Sequence, residues 1–278
     1  MKLLGLVVMM MACGGTSARV AIDREEILAL REVSGLAIGT VDGRQVIAAI
    51  GDEDYAVTLV PLVAGLPDTP NATTIDVPLP KQTGGSQLEG VAIADGHVWL
   101  LAEGAATLSE VEVADGKARI LRSGALTFAP DHPLATAWHA DPNHGGEGLV
   151  VDGARVLVAK QQDPTVIVAF TWQGDRWVGT TTWQVAMDDI SDLARGPDGA
   201  LYAIGARAGK ICRFGPLPDG GGALACVRSW VMPAALGKGK TQWEGLTFLP
   251  DGRPLVAVDR KKHESPNLAV LPVLEGTP

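Results

Sequence analysis

Cysteine, aromatic side chains and positive charge are all scarce in this chain, and each shortage narrows what it can be. Only three cysteines occur among 278 residues. None has a CxxC spacing or a nearby His, which argues against a zinc ribbon or thiol catalysis. Lys and Arg number 23 against 32 Asp and Glu, a formal net charge of −9. A general nucleic-acid binder needs a basic face, so no nucleic-acid partner is expected. GxSxG, HExxH and P-loop signatures are missing, which removes the enzymes those motifs define. No long amphipathic helical period appears, and a parallel α/β fold would need helices between its strands.

The one long apolar stretch is N-terminal, in MKLLGLVVMMMACGG. It is too short to span a bilayer as a mature helix and reads as an export signal. Cys13 after a small residue suits a bacterial lipoprotein signal, with Met10 where Leu is usual; the alternative is an ordinary signal peptide cut nearby. The expected division is a signal over 1–13, an N-terminal segment over 14–31 and one folded body over 32–278. The expected location is the periplasm or the outer membrane, with membrane contact only through a lipid on Cys13. Gly14 after the Cys, rather than Asp, suits outer-membrane sorting. The two remaining cysteines, Cys212 and Cys226, flank a stretch with a turn at Asp219. In an exported chain such a pair forms a disulfide readily.

What is abundant is a repeated phrase. QWEGLTFLPDGRPLVAVD holds a Glu-Gly pair, an apolar run, an Asp-Gly turn and a second apolar run. Related phrases carry Ser34, Glu89, Glu147 and Ser191 at the position of Glu244, each followed by an Asp-Gly at Asp42, Asp95, Asp152, Asp198 and Asp251. Self-similarity at this period marks a repeat array, and Asp-Gly between apolar runs marks a tight hairpin. Four short strands per repeat make a propeller blade. The expected fold is therefore an all-β propeller of five four-stranded blades, or six if a longer repeat hides a degenerate one. The last repeat lacks a fourth strand, so the N-terminal segment is expected to close the ring.

In a propeller the first strand of each blade lines the central channel. The anchors Glu89, Glu147 and Glu244 should then share one mouth with Asp192 and with the second-strand ends: the Gly51 and Asp52 region, Glu103, Lys160 and Asp259. Like charges so placed raise one another's pKa unless a cation or a donor compensates. A hard cation such as Ca²⁺, held by Glu89, Glu147 and Glu244, would fit; so would hydrogen bonds from backbone N–H groups or from Lys160. His139 and His144, in the loop before Glu147, are the candidates for general base or ligand. Arg260 is the candidate for contact with an anionic group.

Together SGLA, LEGVAI, GGEGLVVDGARVLVAKQQDP, ISDLARGPDGALYAIG and QWEGLTFLPDGRPLVAVD resemble the SdiA-regulated family of bacterial β-propellers, over about 32–274. Lys160 matches the family pattern, while Gln161 and Gln162 depart from its charged pair. The resemblance implies an exported or membrane-anchored propeller and leaves the activity open. Two functions are expected. One is a binding propeller that takes a small molecule, a metal ion or an envelope protein at its acidic mouth. The other is a Ca²⁺-dependent hydrolase of a lactone, ester or phosphoester. The Glu-Gly strand starts also resemble those of phytase-type and gluconolactonase-like propellers, and in the latter a first-strand Glu binds the metal.

Overall fold

A computed structural model describes residues 18–82, 85–140, 144–234, 236, 242–260 and 265–275. Its strands fall into antiparallel meanders that follow the repeats. The first blade runs Val33–Val41, Arg44–Gly51, Ala56–Val63 and Thr73–Asp76. The second runs Leu88–Ala94, His97–Ala102, Thr107–Ala114 and Lys117–Thr127. Gly146–Asp152, Arg155–Lys160, Val166–Trp172 and Trp177–Val185 form the third. Asp192–Arg195, Leu201–Gly205, Lys210–Phe214 and Cys226–Val231 form the fourth. The fifth supplies only Trp243–Phe248, Pro254–Val258 and Leu268–Val270 in chain order.

The N-terminal segment completes the fifth blade. Arg24–Glu26 pairs antiparallel with Leu268–Val270, which caps an edge that would otherwise be open to other chains. Asn267 fixes this closure. Its side chain accepts from Leu28 N at 2.8 Å and donates to Leu28 O and Leu30 O, both at 2.9 Å. Asn267 is fully buried although it ends the polar stretch VDRKKHESPN. Ala18–Arg19 adds a short parallel strand outside Cys226–Val231.

Why the strands read as continuous apolar runs follows from the packing. Each blade is buried on both faces, so both sets of alternate residues are apolar. In His97–Ala102, Val98, Leu100 and Ala102 face the first blade while Trp99 and Leu101 face the third. Five apolar clusters result among the described residues, each filled from two neighbouring blades, the last joining Leu255 and Ala257 to Leu36 and Ile47. The innermost strands pack side by side in chain order, and Trp243–Phe248 packs against Val33–Val41 to close the circle. Several Asp-Gly pairs turn as expected. Asp42 and Gly43 have φ of 49° and 71°, and Asp95 and Gly96 have 52° and 82°. That doubly left-handed turn matches the twist of the flanking strands. No described helix is long and apolar enough to cross a membrane.

Candidate functional site

The local feature that builds the site is a β-bulge at the head of the innermost strands. In the first blade Val33 pairs with Gly51 and Gly35 with Ile50, so Ser34 is skipped. Leu88 pairs with Ala102 and Gly90 with Leu101, skipping Glu89. Trp243 and Gly245 skip Glu244 in the same way, and Glu147 with Gly148 oppose Ala159 alone. A bulged residue leaves the ladder and can be re-aimed. Here it is turned into the mouth of the channel. The Gly that follows has a packing role, because backbones meet there. A Cβ on Gly90 would sit 2.6 Å from Glu147 O, and one on Gly148 would sit 2.5 Å from Leu193 N.

The mouth is a cavity of about 200 Å³ lined by Glu32, Asp52, Glu89, Glu103, Glu147, Glu244 and Asp259, with Val33, Ser34 and Gln161. Seven carboxyls therefore converge, and among the described residues no Lys, Arg or His is in the lining. Their protonation follows from crowding. Burial drives the Glu147 carboxyl well up, and the charges of Glu89, Glu103 and Glu244 push the same way. Glu89 is raised well above its usual range by burial and then by Glu103 and Glu244. Glu244 is pushed up to about 7, by burial first and by Asp259 next. Asp52 is pushed up to about 6, by burial and then by Glu32 and Asp259. Glu103 is raised by burial against the pull of the Gly145 N–H, which its Oε1 accepts at 2.7 Å. The approach of the two carboxyls raises Glu147 further and pulls Glu103 down. One Asp52 oxygen, Oδ1, is buried without a hydrogen-bond partner.

The other expected site residues lie outside the lining, although the charges of His144 and Lys160 pull Glu103 down and that of Glu244 reaches Asp192. Asp192 occupies the position of the bulge Gly in the fourth blade, and it is fully buried. Its carboxylate accepts from Leu193 N at 2.8 Å, from Leu246 N at 2.8 Å and from Leu36 N at 3.3 Å. It bridges the inner strands of three blades and does not line the cavity. Burial pushes its carboxyl well up, against those three N–H donors. Lys160 is also buried and outside the lining; its Nζ donates to His144 O at 2.5 Å and Gln162 O at 2.6 Å. Arg260 donates to Leu236 O. His139 is exposed beyond the short helix Leu134–Ala137, away from the lining, and the His144 imidazole is not among the lining groups either. Cys13 lies outside the described residues. Cys212 and Cys226 are joined in a disulfide with Cα atoms 5.7 Å apart.

Glu32 is a lining residue that the repeat pattern does not reveal, because it precedes the anchor rather than occupying it. It is held by a left-handed backbone, φ 47°, and its N–H donates to Arg260 O at 2.9 Å. Gln87, at the same place before Leu88, has φ 48° and donates to Asp52 O at 2.7 Å. Shared placement of two non-glycine residues in this region is the signal that would have found Glu32, and it is visible only in the structure. Among the described residues no group of three or more His, Cys, Asp or Glu is arranged to hold a metal ion.

No protein-family model and no curated protein matches the chain. Solved structures do. The glutaminyl cyclase of Myxococcus xanthus superposes with a TM-score of 0.54 at 16% identity, over 92% of this chain and 97% of that one. A streptogramin B lyase gives 0.50 at 11%, over 90% and 97%. The PQQ-bound aldose sugar dehydrogenase of Streptomyces coelicolor gives 0.50 at 14%, over 91% and 97%. At these identities the likeness concerns architecture. The chain is a β-propeller with an acidic mouth at one end of its channel.

Proposed function

We propose that this protein is an exported binding propeller of the SdiA-regulated type, anchored through Cys13 in the periplasm or at the outer membrane. In this reading it captures a small cationic group at its acidic mouth. The observation that carries the proposal is the cavity of about 200 Å³ on which seven carboxyls converge. Carboxylates are acceptors only once ionised, so such a set selects a donor-rich cation. A protonated amine or a guanidinium meets that need, and it comes either from a free small molecule or from a Lys or Arg of an envelope protein. The bare Asp52 Oδ1 adds an acceptor in search of a donor. Export and the lipid anchor draw support from the N-terminal sequence, and the Cys212–Cys226 bond suits an oxidising compartment.

Fold alone does not choose between this and the hydrolase, because one architecture hosts many chemistries. A Ca²⁺-dependent hydrolase would need Glu89, Glu147 and Glu244 on one ion. Seven acidic side chains around one cavity of about 200 Å³ suit an organic cation that carries several N–H donors.

Titration calorimetry tests this on chelator-treated protein, with a short diamine, a Lys-rich peptide and Ca²⁺ as separate probes. Saturable diamine or peptide binding that weakens about tenfold or more in Glu244→Gln is expected, the loss of one close ionic hydrogen bond. Ca²⁺ binding alone, lost in the same variant, would replace the reading with a metal site. No binding of any probe would remove it.

A further inference from the structure

The outer hairpin of the fourth blade leaves its own sheet and reaches across to the third. After Lys210–Phe214 the chain runs out to Gly222–Leu224 before returning as Cys226–Val231. Gly222–Leu224 pairs in parallel with the third blade's outer strand, with Trp183 opposite Gly222, Gln184 opposite Ala223 and Val185 opposite Leu224. The Trp183 indole N–H donates to Pro218 O at 2.9 Å. Gly221, at φ +81°, comes so close that a Cβ there would sit 2.5 Å from Thr182 O. Trp183, Leu224 and Cys212 are buried in one apolar cluster, with Leu217 and Cys226 packed against it.

Residues 215–225 read GPLPDGGGALA. Such a Gly-rich stretch loses much conformational freedom when ordered. Three ladder positions and one indole bond hold it to the third blade. At its base sits the Cys212–Cys226 bond, closing a separation of 14 residues. Cys212 is fully buried, whereas Cys226 is only half-buried.

We propose that this disulfide is a redox lock on an inter-blade strap. A dithiol reductant opens it, releases residues 215–225 from the third blade and bares the strand edge at 183–185, while the ring stays closed. The reductant's thiolate attacks the accessible Sγ of Cys226 and the S–S bond breaks. Cys212 leaves as a thiolate and takes up a proton. The reductant's second thiol then displaces Cys226, which is also protonated. The protein gains two electrons and two protons, and the reductant becomes a disulfide. The ring does not run through the strap. Its closure lies at Arg24–Glu26, and the inner ladders of the fourth blade lie between Asp192 and Phe214.

Hydrogen exchange read by mass spectrometry, on the full chain before and after treatment with dithiothreitol, tests this, with two titratable thiols confirming reduction. The expected result is faster exchange, about tenfold or more, at residues 183–185 and 215–225, as a strap held by few bonds opens locally. Exchange in Gly146–Asp152 and Trp243–Phe248 should not change. Cys226→Ser should reproduce the pattern without reductant. Unchanged exchange after verified reduction would show that the strap needs no lock. Simultaneous loss of protection throughout the ring would show a global staple. Either result overturns the proposal.

Discussion

At the scale of single residues, the contrast between Asp192 and Glu244 shows how position decides the fate of a carboxylate. Both follow the same repeat phrase, yet Glu244 is the bulged residue and Asp192 stands one place later, where other blades carry Gly. That shift sends Asp192 across the axis to three backbone N–H groups on three inner strands. Asp192→Ala would leave those donors without a partner in the interior. Each buried orphan costs about 1–3 kcal/mol, so a loss on the order of 3 kcal/mol is expected by chemical denaturation. A stability change within about 0.5 kcal/mol, the range of surface substitutions, would show that water or rearrangement replaces the bridge. The sequence could not separate the two roles. Asp192 is near enough to Glu244 to feel its charge, but it stands one place past the bulged position and is not turned into the mouth. Lys160 went the same way: its register was legible, but the carbonyls of His144 and Gln162 that draw its ammonium inward were not.

At the scale of elements, the Glu-Gly and Asp-Gly pairs were legible because each is a local demand of the backbone. The Asp-Gly turns need left-handed φ, and the Glu-Gly bulges need backbone room. These are different needs, and substitution should separate them. Gly148→Ala places a methyl 2.5 Å from Leu193 N and 2.8 Å from Asp192 C, atoms of a neighbouring strand that cannot turn aside. A loss of about 2–3 kcal/mol is expected. Gly153→Ala has open space around it and φ +63°, so only a left-handed penalty of about 1–2 kcal/mol applies. Equal losses at the two sites would contradict close strand packing at the bulge. The closing strand was legible as a missing partner in the last repeat. Its anchor Asn267 was not, since an Asn in a polar loop carries no pattern and its three bonds reach residues 237 to 239 positions away.

At the scale of the whole molecule, the repeat carried the ring, and the ring carried the convergence of acids at one mouth. The mutual push of the anchor carboxyls was legible, but the lining by Glu32 and the burial that leads each shift depend on the assembled geometry. That protonation has a consequence for stability. Glu244 is raised to about 7 from 4.5, and Asp52 to about 6 from 3.8. A raised carboxyl binds its proton more tightly in the folded state. The folded state therefore holds more protons between the unfolded and folded values, and stability falls as pH rises through that window. Melting temperature should climb as pH drops from about 7.5 toward 5, in proportion to these shifts. Glu244→Gln should flatten this slope and stabilise the chelated protein above pH 7, by on the order of 1 kcal/mol. A slope of opposite sign would mean that the mouth carboxyls are ionised and already compensated.

The same protons give the most direct test of the proposed cation site. A cation entering the mouth must lower the carboxyl pKa values and expel protons. Diamine binding at pH 6.5 should be measured by calorimetry in two buffers of different ionisation enthalpy. Release of about one proton per site is expected at this pH, reduced in Glu244→Gln. Binding with the same apparent enthalpy in both buffers, unaltered in the variant, would place the ligand elsewhere and contradict it.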